Sequence, residues 1–184
     1  MNRIDLLLEN YRSHIKMPLR LGLPASQRVW FAVYPAEEER RLIHRLDDFA
    51  LLTQAASHPW VRIDLQGSLA RWLAAVDEEE RAEWFKNPDD IELYAKTEWK
   101  EALTTFFQKE VTGIAAPERT VFALTGLMDL YDFLHVSDLI ESLEQTFVGY
   151  LLAFFPGERE GNTYRFLNAR TGWNYLAAPI LCEK

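Results

Sequence analysis

The sequence is poor in cysteine and in positive charge. Its 184 residues include one cysteine, Cys182, so neither a disulfide framework nor a cysteine-rich zinc site is expected. The formal net charge is -8, from 28 acidic and 20 basic residues, which opposes a broad electrostatic surface for DNA, RNA or an anionic membrane. We therefore expect no direct DNA binding by this chain.

Long apolar runs are also absent from the sequence. No segment approaches the roughly 18 to 20 apolar residues that cross a bilayer. The amino terminus lacks the stretch of about 7 to 15 consecutive apolar residues that a signal peptide needs. Together with the single cysteine, these absences predict a cytoplasmic protein that does not contact a membrane.

The sequence lacks the common catalytic and cofactor motifs. One glycine, Gly126 in "TGLMDLYDF", follows a predicted strand, but no Walker lysine and no G-x-G-x-x-G accompany it. A glycine there is explained by a tight turn from strand to helix. The four histidines are far apart and no G-x-S-x-G is present. We predict no catalytic residue and no cofactor.

A series of four polar residues at steps of three is a candidate metal site. If the segment were helical, steps of three would turn about halfway around the helix, so at most two of the four side chains would converge. A solvated polar rim explains the series better, and no metal ligand is predicted. The residues are Asp129, Asp132, His135 and Asp138.

What the sequence does contain is the composition of a folded α/β domain. Hydrophobic residues make up 48% and charged residues 26%, which is typical of a globular protein, and we expect one domain over 1–184. Apolar residues at intervals of three and four predict helices, and nearly continuous apolar runs predict strands buried on both faces. Helices are predicted at 3–15, 36–56 and 136–146, a helical insertion at 67–111, and strands at 28–34, 60–65, 119–126, 148–157, 163–167 and 173–180.

This order of elements predicts an α/β fold with a mostly parallel central sheet and helices on both faces. The core resembles a P-loop or Rossmann core that lacks a phosphate loop. The last two short strands are expected to form an antiparallel carboxyl-terminal edge, with a turn at 168–172 between them.

The stretch "FFPGEREGNTYRF" is the strongest candidate for a site, because open α/β sheets place their sites at the carboxyl ends of parallel strands. Glu158 and Arg159 lie there. Pro156 and Gly157 also suit a type II turn, since proline presets φ and glycine accepts a positive φ. From composition alone, the turn is favoured over a catalytic loop.

Aromatic residues are concentrated in the helical insertion. Most are expected in the core, but Trp and Tyr beside charged residues also serve as anchors at protein interfaces. A partner surface is therefore a second hypothesis for this group, which comprises Trp72, Trp84, Phe85, Trp99, Phe106 and Phe107.

Two segments, "TGLMDLYDFLHVSDLIESL" and "LLAFFPGEREGNTYRFLNARTGWNYLAAPI", resemble the BrxB family of bacteriophage exclusion (BREX) defence systems. The resemblance covers roughly residues 121–180. In the family pattern basic and proline residues follow the tyrosine after Thr-Gly, whereas this sequence has Asp132 and His135. The residues that match the family motifs are Thr125, Gly126, Tyr131, Pro156, Gly157, Glu158, Asn174 and Tyr175.

The resemblance implies a component without an established catalytic activity. It also implies work beside a PglZ-like phosphatase-fold protein, an AAA-type ATPase and a DNA methyltransferase. On this basis "PGE" is a structural turn, and the matched residues together with Arg159 form a partner-binding or structural motif.

Two functions are therefore expected from the sequence. The first is a non-catalytic adaptor or scaffold that binds defence proteins. The alternative is a degenerate nucleotide-binding or phosphate-processing enzyme that uses Thr125, Gly126 and Glu158. The adaptor is preferred because the enzyme would have to lack every recognisable catalytic motif.

Overall fold

The computed structural model describes residues 2–167 and 173–183. A π-helical turn, Ala95–Trp99, joins the fifth helix to the sixth. The helices are α1 (Arg3–Ile15), α2 (Glu39–Ala55), α3 (Ser68–Ala75), α4 (Glu78–Lys86), α5 (Pro88–Tyr94), α6 (Lys100–Val111) and α7 (Val136–Leu143). The strands are β1 (Val29–Tyr34), β2 (Trp60–Asp64), β3 (Val121–Thr125), β4 (Tyr150–Glu160), β5 (Thr163–Phe166), β6 (Trp173–Asn174) and β7 (Ala178–Leu181).

The central sheet has the strand order β2-β3-β4-β1-β7, and every neighbouring pair in this order is parallel. The predicted α/β fold with a mostly parallel sheet is confirmed. The connection from β1 to β2 through α2 crosses two strands, so the first βαβ unit spans most of the sheet.

The two faces of the sheet are covered by different helices. Trp30 and Ala32 of β1 point to the side that α1 and α2 cover, whereas Val29 and Phe31 point to the side of α6 and α7. Both faces of β1 and β3 are buried, which explains why these strands are nearly continuous apolar runs. Within the described ranges, no helix combines the length and the apolar character that crossing a membrane requires.

The helical insertion between β2 and β3 consists of α3 to α6 and contains a stack of aromatic rings. Trp84 stacks on Tyr94 at 4.5 Å between ring centroids, and Trp72 lies 5.5 Å from Trp84 and 6.2 Å from Trp99. Of the six aromatic residues considered in the insertion, Trp84, Trp99 and Phe107 are buried and Trp72 is half-buried. Phe85 and Phe106 are exposed instead.

The last predicted strand, 173–180, is divided in the structure into β6 and β7. β5 and β6 form the antiparallel extension, while β7 returns to the main sheet and pairs in parallel with β1. Because β7 is an edge strand, Pro179 can be accommodated there without interrupting the hydrogen bonds of an interior strand. The side-chain amide of Asn10 donates to the carbonyls of Leu181 and Glu183. The predicted turn at 168–172 lies outside the described residues.

The predicted type II turn at Pro156 and Gly157 is wrong. β4 continues through both residues to Glu160, and Gly157 pairs with Phe166 of β5. The pairing of β4 with β5, and not the local turn preference of Pro-Gly, decides the backbone conformation here. The chain reverses later, around Gly161, whose φ is +59°. The "PGE" segment is thus the point at which β4 leaves the parallel sheet and begins the antiparallel hairpin.

Candidate functional site

A cleft of about 260 Å³ opens at the carboxyl ends of β1, β2 and β3, on the face of the sheet that α2 covers. Parallel α/β sheets place ligands at this edge. The strand register puts Asp64 directly beside Thr125. Leu42, Leu46 and Phe154 form its apolar wall. We call it the carboxyl-edge cleft, and its polar wall consists of Tyr34, Glu39, Arg62, Asp64, Thr125 and Asp129.

Gly126 forms the tight turn that the sequence predicted at this edge. Its φ is +76°, and a Cβ there would lie 2.3 Å from the backbone nitrogen of Gln66 and 2.8 Å from Oδ1 of Asp64. Glycine is therefore required by both the backbone conformation and the close approach. A short 3₁₀ turn, Leu127–Leu130, follows it, so the place of a phosphate loop is held by a turn that faces a carboxylate.

Tyr34 and Glu39 form a hydrogen-bonded pair at one side of the cleft. The Tyr34 hydroxyl donates to the Glu39 carboxylate. Burial raises the pKa of Glu39 above its ordinary value; the Tyr34 hydrogen bond lowers it, and the charge of Asp64 raises it again. Burial also raises the pKa of Tyr34 well above its ordinary value, so the phenol keeps its proton as the donor.

Arg62 and Asp64 form an ion pair in the polar wall of the cleft. Arg62 Nη2 lies 2.6 Å from Oδ2 of Asp64, and Arg62 Nε lies 3.4 Å from the Thr125 hydroxyl. The other oxygen of Asp64 accepts from the backbone nitrogen of Gln66 at 3.1 Å. Both oxygens of Asp64 are thus satisfied.

The polar series that begins at Asp129 does not form a metal site. It does not lie on one helix: Asp129 is in the 3₁₀ turn, Asp132 follows it with a φ of +65°, His135 is the N-cap of α7, and Asp138 is in α7. In the described part of the chain, no group of three or more His, Cys, Asp or Glu side chains is placed to hold a metal ion.

A second, larger concavity lies on the other face of the sheet, beside α7 and the β4–β5 hairpin. Its volume is about 800 Å³. Leu176 at its rim is 80% exposed. We call it the carboxyl-terminal groove, and it is defined by Glu141, Glu144, Arg159, Tyr164, Tyr175 and Leu176.

The aromatic residues of the groove are held firmly from below. Tyr175 stacks on Phe31 at 5.6 Å between ring centroids, and its hydroxyl donates to Glu144 at 2.6 Å. The Tyr164 hydroxyl donates to the carbonyl of Ala177 at 2.9 Å. Burial and the Glu144 carboxylate raise the pKa of Tyr175, which therefore remains a neutral donor. The groove has a rigid aromatic floor.

Arg159 forms one wall of the groove. Its guanidinium carbon lies 5.8 Å from the ring centroid of Tyr164, and Nη2 donates to Asn162 at 3.4 Å. Its Nε is buried and has no hydrogen-bond partner among residues 2–167 and 173–183.

The structure does not gather the predicted site residues in one place. Thr125 and Gly126 lie at the carboxyl-edge cleft, whereas Arg159 and Tyr175 lie in the carboxyl-terminal groove. The other predicted residues lie elsewhere: Tyr131 packs on Phe166, Pro156 and Gly157 are buried in β4, and the exposed Glu158 forms an ion pair with Arg165. Asn174 belongs to β6, but its side chain lies outside the described part of the structure.

Sequence reasoning missed Tyr34, Glu39, Arg62 and Asp64 in the cleft, and Tyr164 and Leu176 in the groove. Tyr34 is the last residue of β1 and Asp64 is the last residue of β2. The rule that places sites at the carboxyl ends of parallel strands could therefore have identified these two residues. No comparable signal marks Leu176, whose exposure depends on where the short segment between β6 and β7 runs.

Comparisons with protein-family models, with curated proteins and with solved structures gave no match to this chain.

Proposed function

We propose that this chain is a non-catalytic adaptor of a BREX-type phage-defence complex. It acts in the cytoplasm, beside an AAA-type ATPase and a DNA methyltransferase. In this proposal its direct partner is the PglZ-like protein, which it binds through the carboxyl-terminal groove.

The observation that carries the proposal is the composition of this groove. Tryptophan, tyrosine and arginine are enriched among the energetic anchors of protein interfaces, and Tyr175 and Arg159 line this groove. The buried ring of Tyr164 lies under the guanidinium of Arg159 and supports it. Leu176 adds an exposed apolar side chain at the rim. The rigid floor favours binding, because little side-chain freedom is lost when a partner docks.

The groove also defines what the partner surface must offer. An apolar side chain is needed against Leu176 and Tyr175, and an oxygen acceptor is needed beside the guanidinium of Arg159 at the groove wall. All three residues involved, Arg159, Tyr175 and Leu176, belong to the segment that resembles the BrxB family, and this resemblance is the basis for naming the PglZ-like protein.

The alternative of a degenerate nucleotide-binding or phosphate-processing enzyme has less support. A phosphate held at the turn of Gly126 would face the carboxylate of Asp64, which lies against that glycine. Glu158, the third residue of that hypothesis, lies in the hairpin extension of β4 and forms an ion pair with Arg165.

Copurification tests the proposal. The tagged chain, expressed with the other proteins of its defence system, is expected to retain the PglZ-like protein through a wash at about 0.15 M salt, at which exposed charges are screened beyond about 8 Å. Mass spectrometry identifies the retained protein. Retention of the ATPase or the methyltransferase without the PglZ-like protein would contradict the proposed partner, and retention of none of them would contradict the adaptor.

A further inference from the structure

The carboxyl-edge cleft is independent of the carboxyl-terminal groove, because the two lie on opposite faces of the sheet. The cleft is bounded by α2 and by Phe154, which belongs to the core on the side of α1 and α2. The groove is bounded by α7 and by Tyr175, which packs against the core on the other side. A ligand in the cleft and a protein in the groove can therefore be studied separately.

The charges of the cleft are unbalanced. It contains three carboxylates and one guanidinium. The guanidinium of Arg62 is paired with Asp64, whose two oxygens are both occupied. The Asp129 side chain makes no hydrogen bond or ion pair with any residue that the structure describes, and Glu39 accepts a hydrogen bond only from the neutral Tyr34 in the same part of the chain. Two negative charges remain without a positive partner.

The position of Glu39 makes this imbalance costly. Its carboxylate is half-buried at the start of α2, and desolvation disfavours the charged form. A positive group bound between Glu39 and Asp129 would offset this cost, since an ionised carboxylate in a partly dry site is stabilised strongly by an opposite charge.

The remaining walls of the cleft are apolar. Ile43, which is 40% exposed, and the half-buried Met128 line the same space as the carboxylates, together with the nearly buried Leu42, Leu46 and Phe154. Ligand sites usually combine such walls with a few polar groups and have volumes of about 300 to 1,000 Å³. At about 260 Å³ the cleft suits a small molecule with an aliphatic body and a charged end.

We propose that the carboxyl-edge cleft binds a small organic cation, a primary ammonium or guanidinium group on a short aliphatic chain. The cationic group lies between Glu39 and Asp129, and the aliphatic chain lies against Ile43 and Met128. The cation comes either from a free diamine-type molecule or from a basic side chain of another protein.

Binding of this cation depends on pH. The titratable and charged groups that line the cleft with Glu39 are Tyr34 from β1, Arg62 and Asp64 from β2, and Asp129 from the turn after β3. Of these, Tyr34 and Asp64 act on the pKa of Glu39. Because the pKa of Glu39 is raised, this carboxyl is protonated at a higher pH than an ordinary glutamate. The ligand needs the ionised form, so its affinity falls as the pH is lowered through the pKa of Glu39.

Calorimetric titration of the purified chain tests the proposal. The probes are agmatine, a short peptide with one arginine, and 1,5-pentanediol as an uncharged molecule of similar length. A cationic probe is expected to bind saturably with a Kd at or below about 1 mM, whereas the diol does not bind. Glu39→Gln and Asp129→Asn are each expected to weaken binding roughly tenfold or more, as the loss of a charge-assisted contact predicts.

Matched controls keep the result interpretable. Glu39→Gln retains an acceptor for Tyr34, and Glu79→Gln removes an exposed carboxylate on α4 outside the cleft and should leave the affinity unchanged. Tighter binding of the peptide than of agmatine supports the proposal and assigns the cation to a protein side chain, whereas the reverse supports it and assigns the cation to a free molecule. Equal binding of the diol, equal weakening by Glu79→Gln, or no saturation by either cation up to about 10 mM would overturn the proposal.

Discussion

Arg28 is predicted to be the most important buried charge for the stability of this fold. It is 9% exposed and lies immediately before β1. Its Nε donates to the carbonyl of Leu23 at 2.9 Å, and its Nη1 donates to the carbonyl of Gly149 at 2.6 Å and to that of Phe147 at 3.3 Å. The guanidinium carbon also lies 5.2 Å from the ring centroid of Phe147. One side chain therefore joins the segment before β1 to the loop that leads into β4.

The substitution Arg28→Met keeps most of the side-chain length and removes all of these donors. A hydrogen bond to a charged group contributes about 1.5 to 3 kcal/mol, and a buried acceptor left without a partner costs about 1 to 3 kcal/mol. Part of this loss of stability is offset, because the substitution also removes the cost of desolvating the guanidinium on folding. We expect a net loss of about 3 to 5 kcal/mol in the free energy of unfolding, because three backbone carbonyls lose their donor at about 1 to 3 kcal/mol each, less the desolvation cost that disappears with the guanidinium.

Urea unfolding followed by tryptophan fluorescence measures this loss. The control is Arg40→Met, because Arg40 is exposed on α2, and surface changes of this kind usually alter stability by less than about 0.5 kcal/mol. A loss below about 1 kcal/mol for Arg28→Met would refute the reasoning, since the three carbonyls would then have found other partners.

Three further predictions concern the hairpin, the last strand and DNA. Gly157→Ala should destabilise the fold by about 2 to 3 kcal/mol in thermal unfolding, because the added Cβ would lie 2.2 Å from the Arg165 carbonyl oxygen. Gly161→Ala is the control: there is open space around this residue, so the substitution should cost only the strain of a positive φ, about 1 kcal/mol. Asn10→Ala removes the amide that donates to the carbonyls of Leu181 and Glu183, so amide hydrogen exchange in β7 should accelerate while β3 stays protected; unchanged exchange would contradict this role. The purified chain should not retard duplex DNA at submicromolar concentration in about 0.15 M salt, because its net charge is -8 and no counterion release favours binding.

The helices and the central strands could be predicted from local patterns. β1 and β3 are buried on both faces and read as continuous apolar runs, and α2 has one apolar stripe that contains Leu42, Leu46 and Phe49. The order of the strands could not be predicted, because it depends on contacts between residues far apart in the sequence. The same limit explains the error at Pro156 and Gly157, where pairing with β5 decides the conformation.

The candidate sites were predictable only in part. Gly126 was predicted as a turn residue because it follows an apolar strand and precedes helical sequence. The structure adds the physical reason, a positive φ and a close approach to Gln66 and Asp64. The hydrogen bond between Tyr34 and Glu39 was not predicted, because the position of these two residues in the cleft depends on the assembled sheet. Charge patterns along the chain therefore revealed neither the unbalanced carboxylates of the cleft nor the aromatic floor of the groove.

The most direct test of the proposed adaptor role is the affinity of the purified chain for the purified PglZ-like protein, compared between two matched variants. Leu176→Asp places a charge at the rim of the carboxyl-terminal groove, and Leu51→Asp places the same charge on α2, where the leucine is 63% exposed. Because truncating or charging an interface anchor typically costs about 2 kcal/mol or more, Leu176→Asp should weaken binding at least about tenfold and Leu51→Asp should leave it unchanged. Equal affinities for the wild type and Leu176→Asp would contradict the groove as the binding surface, and no binding by the wild type would contradict the adaptor itself.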